Sequence, residues 1–258
     1  MNRDTFLSLA LLGWFVALAI VEVAVTRRSR HSSTGASDAR LVTNFGFTAI
    51  LLIVGAVPPL ANIATAASSH GLRIGLASHV PIGWPAILVL TLVGQTFAAY
   101  WAHRWMHQSR MLWRIHRVHH ADTAVDVSTS LRNHPLELLV SVPAAALVTV
   151  AIGAPIFVVT VSSTIIVAAT IWEHAEISLP PRIDRALSIL ILTPGLHRLH
   201  HNPERIIHDT NFGTLFSLWD RLFGTLCEIR DREEVGLDHQ LARPDHFIDQ
   251  IRSPLLSI

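Results

Sequence analysis

HRWMHQSRMLWRIHRVHH, running from His103 to His120, carries five histidines in eighteen residues: His103, His107, His116, His119 and His120. A second cluster, HRLHH, sets His197, His200 and His201 at the same close spacing. Residues three and four apart share a helix face. His103 with His107, His116 with His119 and His120, and His197 with His200 and His201 therefore each present imidazoles on one side of a helix. A mononuclear site takes three or four ligands. Eight histidines in three such groups exceed that, and two ions bridged by oxygen or water account for the number better. Imidazole suits iron, zinc and copper alike, so ligand type leaves the metal open. Surface histidines in a polar cap, or partners of lipid headgroups, are the plainer alternative, but they leave three same-face groups at the ends of apolar segments unexplained.

The surrounding chain is apolar. Of 258 residues, 50% are hydrophobic and 15% charged, with a mean hydropathy of +0.42. A soluble domain would struggle to cover that with polar surface, which favours a membrane bundle with a cytosolic cap. The net charge of +1 and the lack of a long basic tract give no basis for nucleic-acid binding. Cys227 is the sole cysteine, so an internal disulfide framework and a cysteine-based metal site are excluded. Any metal must be held by His, Asp or Glu.

Thr5 to Val25 is apolar and close to the roughly 20 residues needed to cross a bilayer. The polar loop Arg27 to Arg40 holds Arg27, Arg28, Arg30 and Arg40, which puts it on the cytoplasmic side. Leu41 to Ala64 reads as a second span ended or kinked by Pro58 and Pro59. Ile82 to Ala102 returns as a third and delivers His103 and His107 to the cytoplasmic face. Leu136 to Trp172 is nearly continuous apolar sequence broken at Gly153-Ala154-Pro155. Split there, it predicts a helical hairpin with both ends cytoplasmic and arms of about 25 Å, barely enough to cross the hydrocarbon. Arg182 to Leu192 has the spacing of a helix lying in the interface. The tail from Glu228 is charged and reads as cytosolic.

Two further histidines could complete a coordination shell. His134 lies in RNHPLE near Glu137, and His174 in WEHAEI between Glu173 and Glu176. The carboxylates could hold imidazole N–H groups; alternatively, both histidines cap helix ends or meet phosphates. His208 is open to either reading, while His31, His70, His79, His239 and His246 read as solvated. Two divalent ions on neutral imidazoles would leave about four positive charges in a partly desolvated site, which asks for anions nearby. Glu137, Glu173, Glu176 and Asp209 are the candidates, with ordinary arginine pairing as the alternative for each.

In this order the motifs resemble the fatty acid hydroxylase / sterol desaturase superfamily of integral-membrane di-iron oxygenases. The likeness covers roughly Leu92 to Leu226: YWAHRWMH, LWRIHRVHH, NHPLE, His174 after the hairpin, TPGLHRLHH and NFGTLFSLWDRLFGT. It implies an all-α polytopic membrane bundle with a cytosolic histidine-rich helical cap. The expected division is residues 1–87 as N-terminal spans, 88–228 as the catalytic domain and 229–258 as a cytosolic tail. The resemblance further implies two iron ions (Fe2+/Fe3+) that use O2 to hydroxylate or desaturate a lipid drawn from the bilayer. The ligands would be His103, His107, His116, His119, His120, His197, His200 and His201, joined by His134 and His174. Asn211, Gly213, Trp219, Asp220 and Gly224 match the family's C-terminal signature and take a scaffold role. The sequence holds no HPGG haem motif and no GxGxxG, so electrons would come from a separate donor of cytochrome b5, ferredoxin or reductase type. A bacterial inner membrane, with the metal site facing the cytoplasm, is the expected location. The competing classes are a histidine-rich metal transporter, which needs ligands near the membrane midplane, a redox-silent metal-binding membrane protein, and a haem-bearing electron carrier.

Overall fold

Apolar runs about twenty residues long have few stable forms in lipid other than helices, because each backbone polar group must be satisfied internally. A computed structural model describes residues 3–26, 38–55, 66, 72–228, 234–237 and 243–255. Regular structure among them is helical, apart from one isolated bridge between Ile191 and Phe216. Among the described residues, four segments are long and apolar enough to cross a membrane: Thr5–Val25, Trp84–Gln108, Pro135–Ile152 and Ile156–His174. They lie in α1 (Arg3–Thr26), α3 (Trp84–Gln108), α5 (Leu138–Ile152, extended by the 3-10 turn Pro135–Glu137) and α6 (Ile156–His174). The protein is thus a membrane helical bundle.

The hairpin α5–α6 packs along α3, and its tip is fixed by close backbone approach. Gly153 ends α5 in the left-handed region at φ 70°, and Pro155 opens α6. Gly75, at φ 96°, lies so close that a Cβ there would be 2.3 Å from the Gly153 nitrogen. Ile87 on α3 joins Ala154, Val158 and Val159 in one buried cluster at this end. The tip is therefore level with the first turns of α3.

At the opposite end, α1, α3, α5 and α6 converge on the cap, formed by α4 (Arg110–His120), α7 (Pro181–Leu187), α8 (Pro194–His200), α9 (Arg205–His208) and α10 (Leu218–Phe223). Glu22, a buried carboxylate near the end of α1, accepts from the backbone N–H groups of Val127 (3.0 Å) and Glu176 (2.6 Å). It ties the first span to the loops that follow α4 and α6.

The second predicted span differs. Its described part is α2 (Asp38–Gly55), with a shorter apolar stretch at Ala39–Leu51. Pro58, Pro59 and residues 27–37 of the polar loop lie outside the described residues. Arg40, Thr43 and Asn44 are buried, so the first turns of α2 belong to the cap. The described part of the C-terminal segment folds back onto it: α11 (Phe247–Arg252) sets Phe247 edge-on to Phe47 at 5.3 Å, and Ser253 accepts from Arg117. The predicted interface helix ends at Leu187, earlier than its periodicity suggested; Ile183, Ile189 and Leu190 are exposed.

The hairpin tip yields a direct test. In Gly153→Ala the new Cβ would meet the Ile74 carbonyl oxygen at 2.6 Å in a backbone region that costs L residues about 1–2 kcal/mol. Thermal unfolding in detergent should show a loss of at least about 1 kcal/mol; an unchanged midpoint would show that the close approach is relieved cheaply.

Candidate metal centre

His103 and His107 occupy the last two turns of α3. Ser109 then leaves helical geometry for one residue (φ −88°, ψ 120°) and its hydroxyl caps α4 by accepting from the Leu112 N–H. This break turns α4 back, so that His116 and His120 face His103 and His107. Thr193 caps α8 in the same way, with Pro194 preset for the first helical position. That places His197 and His200 inside the short helix and His201 at its end. His174 is the final residue of α6.

Two groups of imidazoles result. His103, His107, His116, His120 and His200 form one; His119, His174, His197 and His201 form the other. Within each group, one nitrogen from every residue lies within 4.8 Å of the rest. The shared rows bring them side by side: His119 and His120 are neighbours on α4, as are His200 and His201 at the end of α8. All are buried except His103, which is half-buried.

The hydrogen bonds decide what these rings can hold. The Nδ1 atoms of His103, His119, His174 and His200 contact the main-chain carbonyls of Phe212 (2.9 Å), Arg132 (3.2 Å), Thr170 (2.7 Å) and Thr210 (2.7 Å). A carbonyl only accepts, so each Nδ1 carries the proton and each Nε2 keeps its lone pair. His107 and His116 place Nδ1 against Asp209 and Glu137, each at 3.1 Å. The Nε2 atoms of His103, His107, His116, His120 and His200 are buried with no protein partner. In the second group, His174 Nε2 approaches His119 Nε2 at 3.0 Å and His197 Nε2 at 3.0 Å. The His119 and His174 lone pairs face one another and repel unless a cation lies between them. Neutral imidazoles with their N–H groups anchored by carbonyls and carboxylates are the donor set that a transition-metal ion takes. The residues fit two ions.

Electrostatics keep five of these rings neutral. Burial, reinforced by neighbouring imidazoles, holds His119, His120, His197, His200 and His201 well below the usual histidine range. Burial also raises Asp220 to about 6, although three donors partly offset it. Those donors are the N–H groups of Phe212 and Gly213 and the Thr225 hydroxyl, at 2.7–2.8 Å. Asp220 thereby fixes the Phe212 carbonyl that orients His103. Asn211 bridges the Leu196 and Cys227 backbones, and Trp219 donates to Thr96.

Of the ten histidines expected as ligands, nine are brought together and His134 is not. Its Nδ1 accepts from the Leu136 N–H and its Nε2 meets the Ile251 carbonyl, so it caps a turn and ties the C-terminal segment down. His208 lies beside the first group, stacked on Trp113 at 5.2 Å and grouped with His107 and Asp209. Glu137 and Asp209 flank the first group as anticipated, whereas Glu176 pairs with Arg198. Glu22, Arg40, Asn44 and Arg132 escaped the sequence reading. The available signal was a carboxylate and an amide inside otherwise apolar segments.

The Fatty acid hydroxylase family model matches residues 88–225. Among curated proteins, alkylglycerol monooxygenase of Danio rerio is 29% identical over 59% of this chain and 33% of its own length. The human alkylglycerol monooxygenase is 28% identical over 63% and 36%. Ornithine lipid hydroxylase OlsE of Rhizobium tropici is 29% identical over 89% of this chain and 68% of its own length. The matches to the alkylglycerol monooxygenases thus span about a third of those proteins. No solved structure matches. With the match covering the histidine groups and the helices that carry them, the chain belongs to the fatty acid hydroxylase family.

Proposed function

We propose that the protein is a membrane-bound, O2-dependent di-iron monooxygenase that hydroxylates a lipid. The observation that carries this reading is the pair of imidazole groups in which six of the nine Nδ1 atoms, those of His103, His107, His116, His119, His174 and His200, are anchored and the ring nitrogens converge. Iron held there would supply activation of O2 and oxidation of an unactivated C–H bond. The chain supplies the rest. His103, His107, His116, His120 and His200 would hold one ion, and His119, His174, His197 and His201 the other. Glu137 and Asp209 offset positive charge at the first and keep the His116 and His107 rings in register. Burial of the rings limits the access of bulk water.

Hydroxylation is favoured over desaturation because the relatives are named as monooxygenases and a hydroxylase. The relative matched over most of this chain is named for an ornithine lipid, so an acyl lipid with a polar headgroup is the favoured substrate class. The ligands lie at one end of the spans, which suits oxidation of a lipid chain entering from the bilayer and does not suit a translocation path through the midplane. Electrons come from a separate carrier of cytochrome b5, ferredoxin or reductase type. The arginines at positions 27, 28, 30 and 40 favour a cytoplasmic metal face, in a bacterial inner membrane.

Protein purified in detergent should contain two iron ions per chain. Cells expressing it under 18O2 should accumulate a lipid heavier by one labelled oxygen. His200→Ala and His197→Ala should each lose one ion and the product, while His134→Ala should keep both ions. A zinc-only protein with no O2 consumption would reject the reading.

Acidity supplies an independent check. Histidines with a lowered folded pKa contribute stability that is present above their unfolded value near 6.5 and is lost as pH falls toward the folded one. Each of His119, His120, His197, His200 and His201 contributes a slope of up to about 1.4 kcal/mol per pH unit. Asp220, raised to about 6, acts the other way, its contribution being full below its unfolded value and lost as pH rises through 6. Five groups outweigh one, so the metal-free protein should lose stability steadily below pH 6.5, and the loaded protein should release its ions over the same range. Flat unfolding midpoints between pH 7 and 5 would contradict the buried, neutral state of these rings.

A further inference from the structure

His119, in the four-imidazole group, is gripped by a buried arginine from two directions. Its Nδ1 donates to the Arg132 carbonyl at 3.2 Å, while the Arg132 Nε donates to the carbonyl of the preceding residue, Val118, at 2.7 Å. The rest of the Arg132 guanidinium reaches outside the segment matched by the family. Nη1 donates to Asn44 Oδ1 on α2 (3.2 Å) and Nη2 to the Pro244 carbonyl (2.5 Å).

Asn44 is itself held. Its Nδ2 contacts Asp122 Oδ2 and Ser128 Oγ, each at 2.9 Å. Arg40, one turn earlier on α2, donates to both Asp122 oxygens at 3.1 Å and to the Ala124 carbonyl at 2.8 Å, and pairs with Asp126. Arg40, Asn44, Asp122 and Arg132 are each at most 1% exposed. Buried charge networks of this kind are often no more stabilising than apolar packing of the same volume; what they can add is a single defined arrangement. The arrangement defined here is that of the α4 C-terminus, where His119 sits. In the five-imidazole group, His103, His200, His107 and His116 are oriented instead by Phe212, Thr210, Asp209 and Glu137, and His120 alone shares the α4 end with His119.

We propose that Arg40, Asn44 and Arg132 are positioning residues for the four-imidazole metal site. The start of α2 and the segment around Pro244, both outside the family-matched residues, are then working parts of that site and not only an anchor and a tail. The inference rests on the two-ion reading above, and its test is read on metal retention without catalysis.

The full-length protein in detergent is loaded with Co2+, and its visible spectrum is followed as a chelator removes the metal. His197→Ala identifies the spectral component that belongs to the four-imidazole site. In Asn44→Ala that component should be released about tenfold faster or more, while the other keeps its wild-type rate. If Asn44→Ala cannot be purified folded, Arg132→Lys, which keeps the buried charge and loses the guanidinium fork, is read in the same way. Release of both ions at wild-type rates, or an equal acceleration of both, would overturn the proposal and leave the two-ion reading intact. A wild-type protein that binds fewer than two Co2+ would instead overturn that reading, and this proposal with it.

Discussion

Lone pairs that face one another in a buried space set the terms for this structure. The proton on His119 Nδ1 is committed to a carbonyl, as is that on His174 Nδ1, and their Nε2 atoms are 3.0 Å apart. Neither ring can donate to the other. Protonating one would relieve the repulsion, but burial opposes the charged form. A cation shared by the two rings would remove the repulsion, and the helix ends, caps and loops hold both rings in that orientation.

The supports are of two chemical kinds. Around the five-imidazole group, carboxylates from Glu137 and Asp209 stand behind two of the rings. Around the four-imidazole group, the anchors identified are main-chain carbonyls, at Arg132 and Thr170. The carbonyls must be placed by the fold itself, which is why a charged network is built behind one of them. The same logic runs through Asp220, which fixes the backbone at Phe212 and so the ring of His103.

Much of this was legible in the residues. Apolar runs with breaks at Gly153-Ala154-Pro155 identified the hairpin, and same-face histidine spacing identified the clustering. Spacing alone could not divide the rings into two groups. His119 and His120 are adjacent in sequence yet serve different groups, because successive helical residues point about 100° apart and each meets a different neighbour. His134 looked like its neighbours in type but sits where the backbone satisfies both nitrogens. Arg40 and Asn44 were read as the end of a loop and part of a span, because their partners lie about eighty residues away.

The four-imidazole group also changes how the chain is held together. It joins residues 55 positions apart, His119 and His174, and 23 apart, His174 and His197. Bringing such distant points together costs chain entropy that rises slowly with loop length. Soluble secreted domains meet a cost of this kind with disulfides, but Cys227 stands alone in this sequence. An ion shared by His119, His174 and His197 would be the equivalent cross-link: reversible, dependent on metal supply, and closed only when the hairpin has returned to the cap.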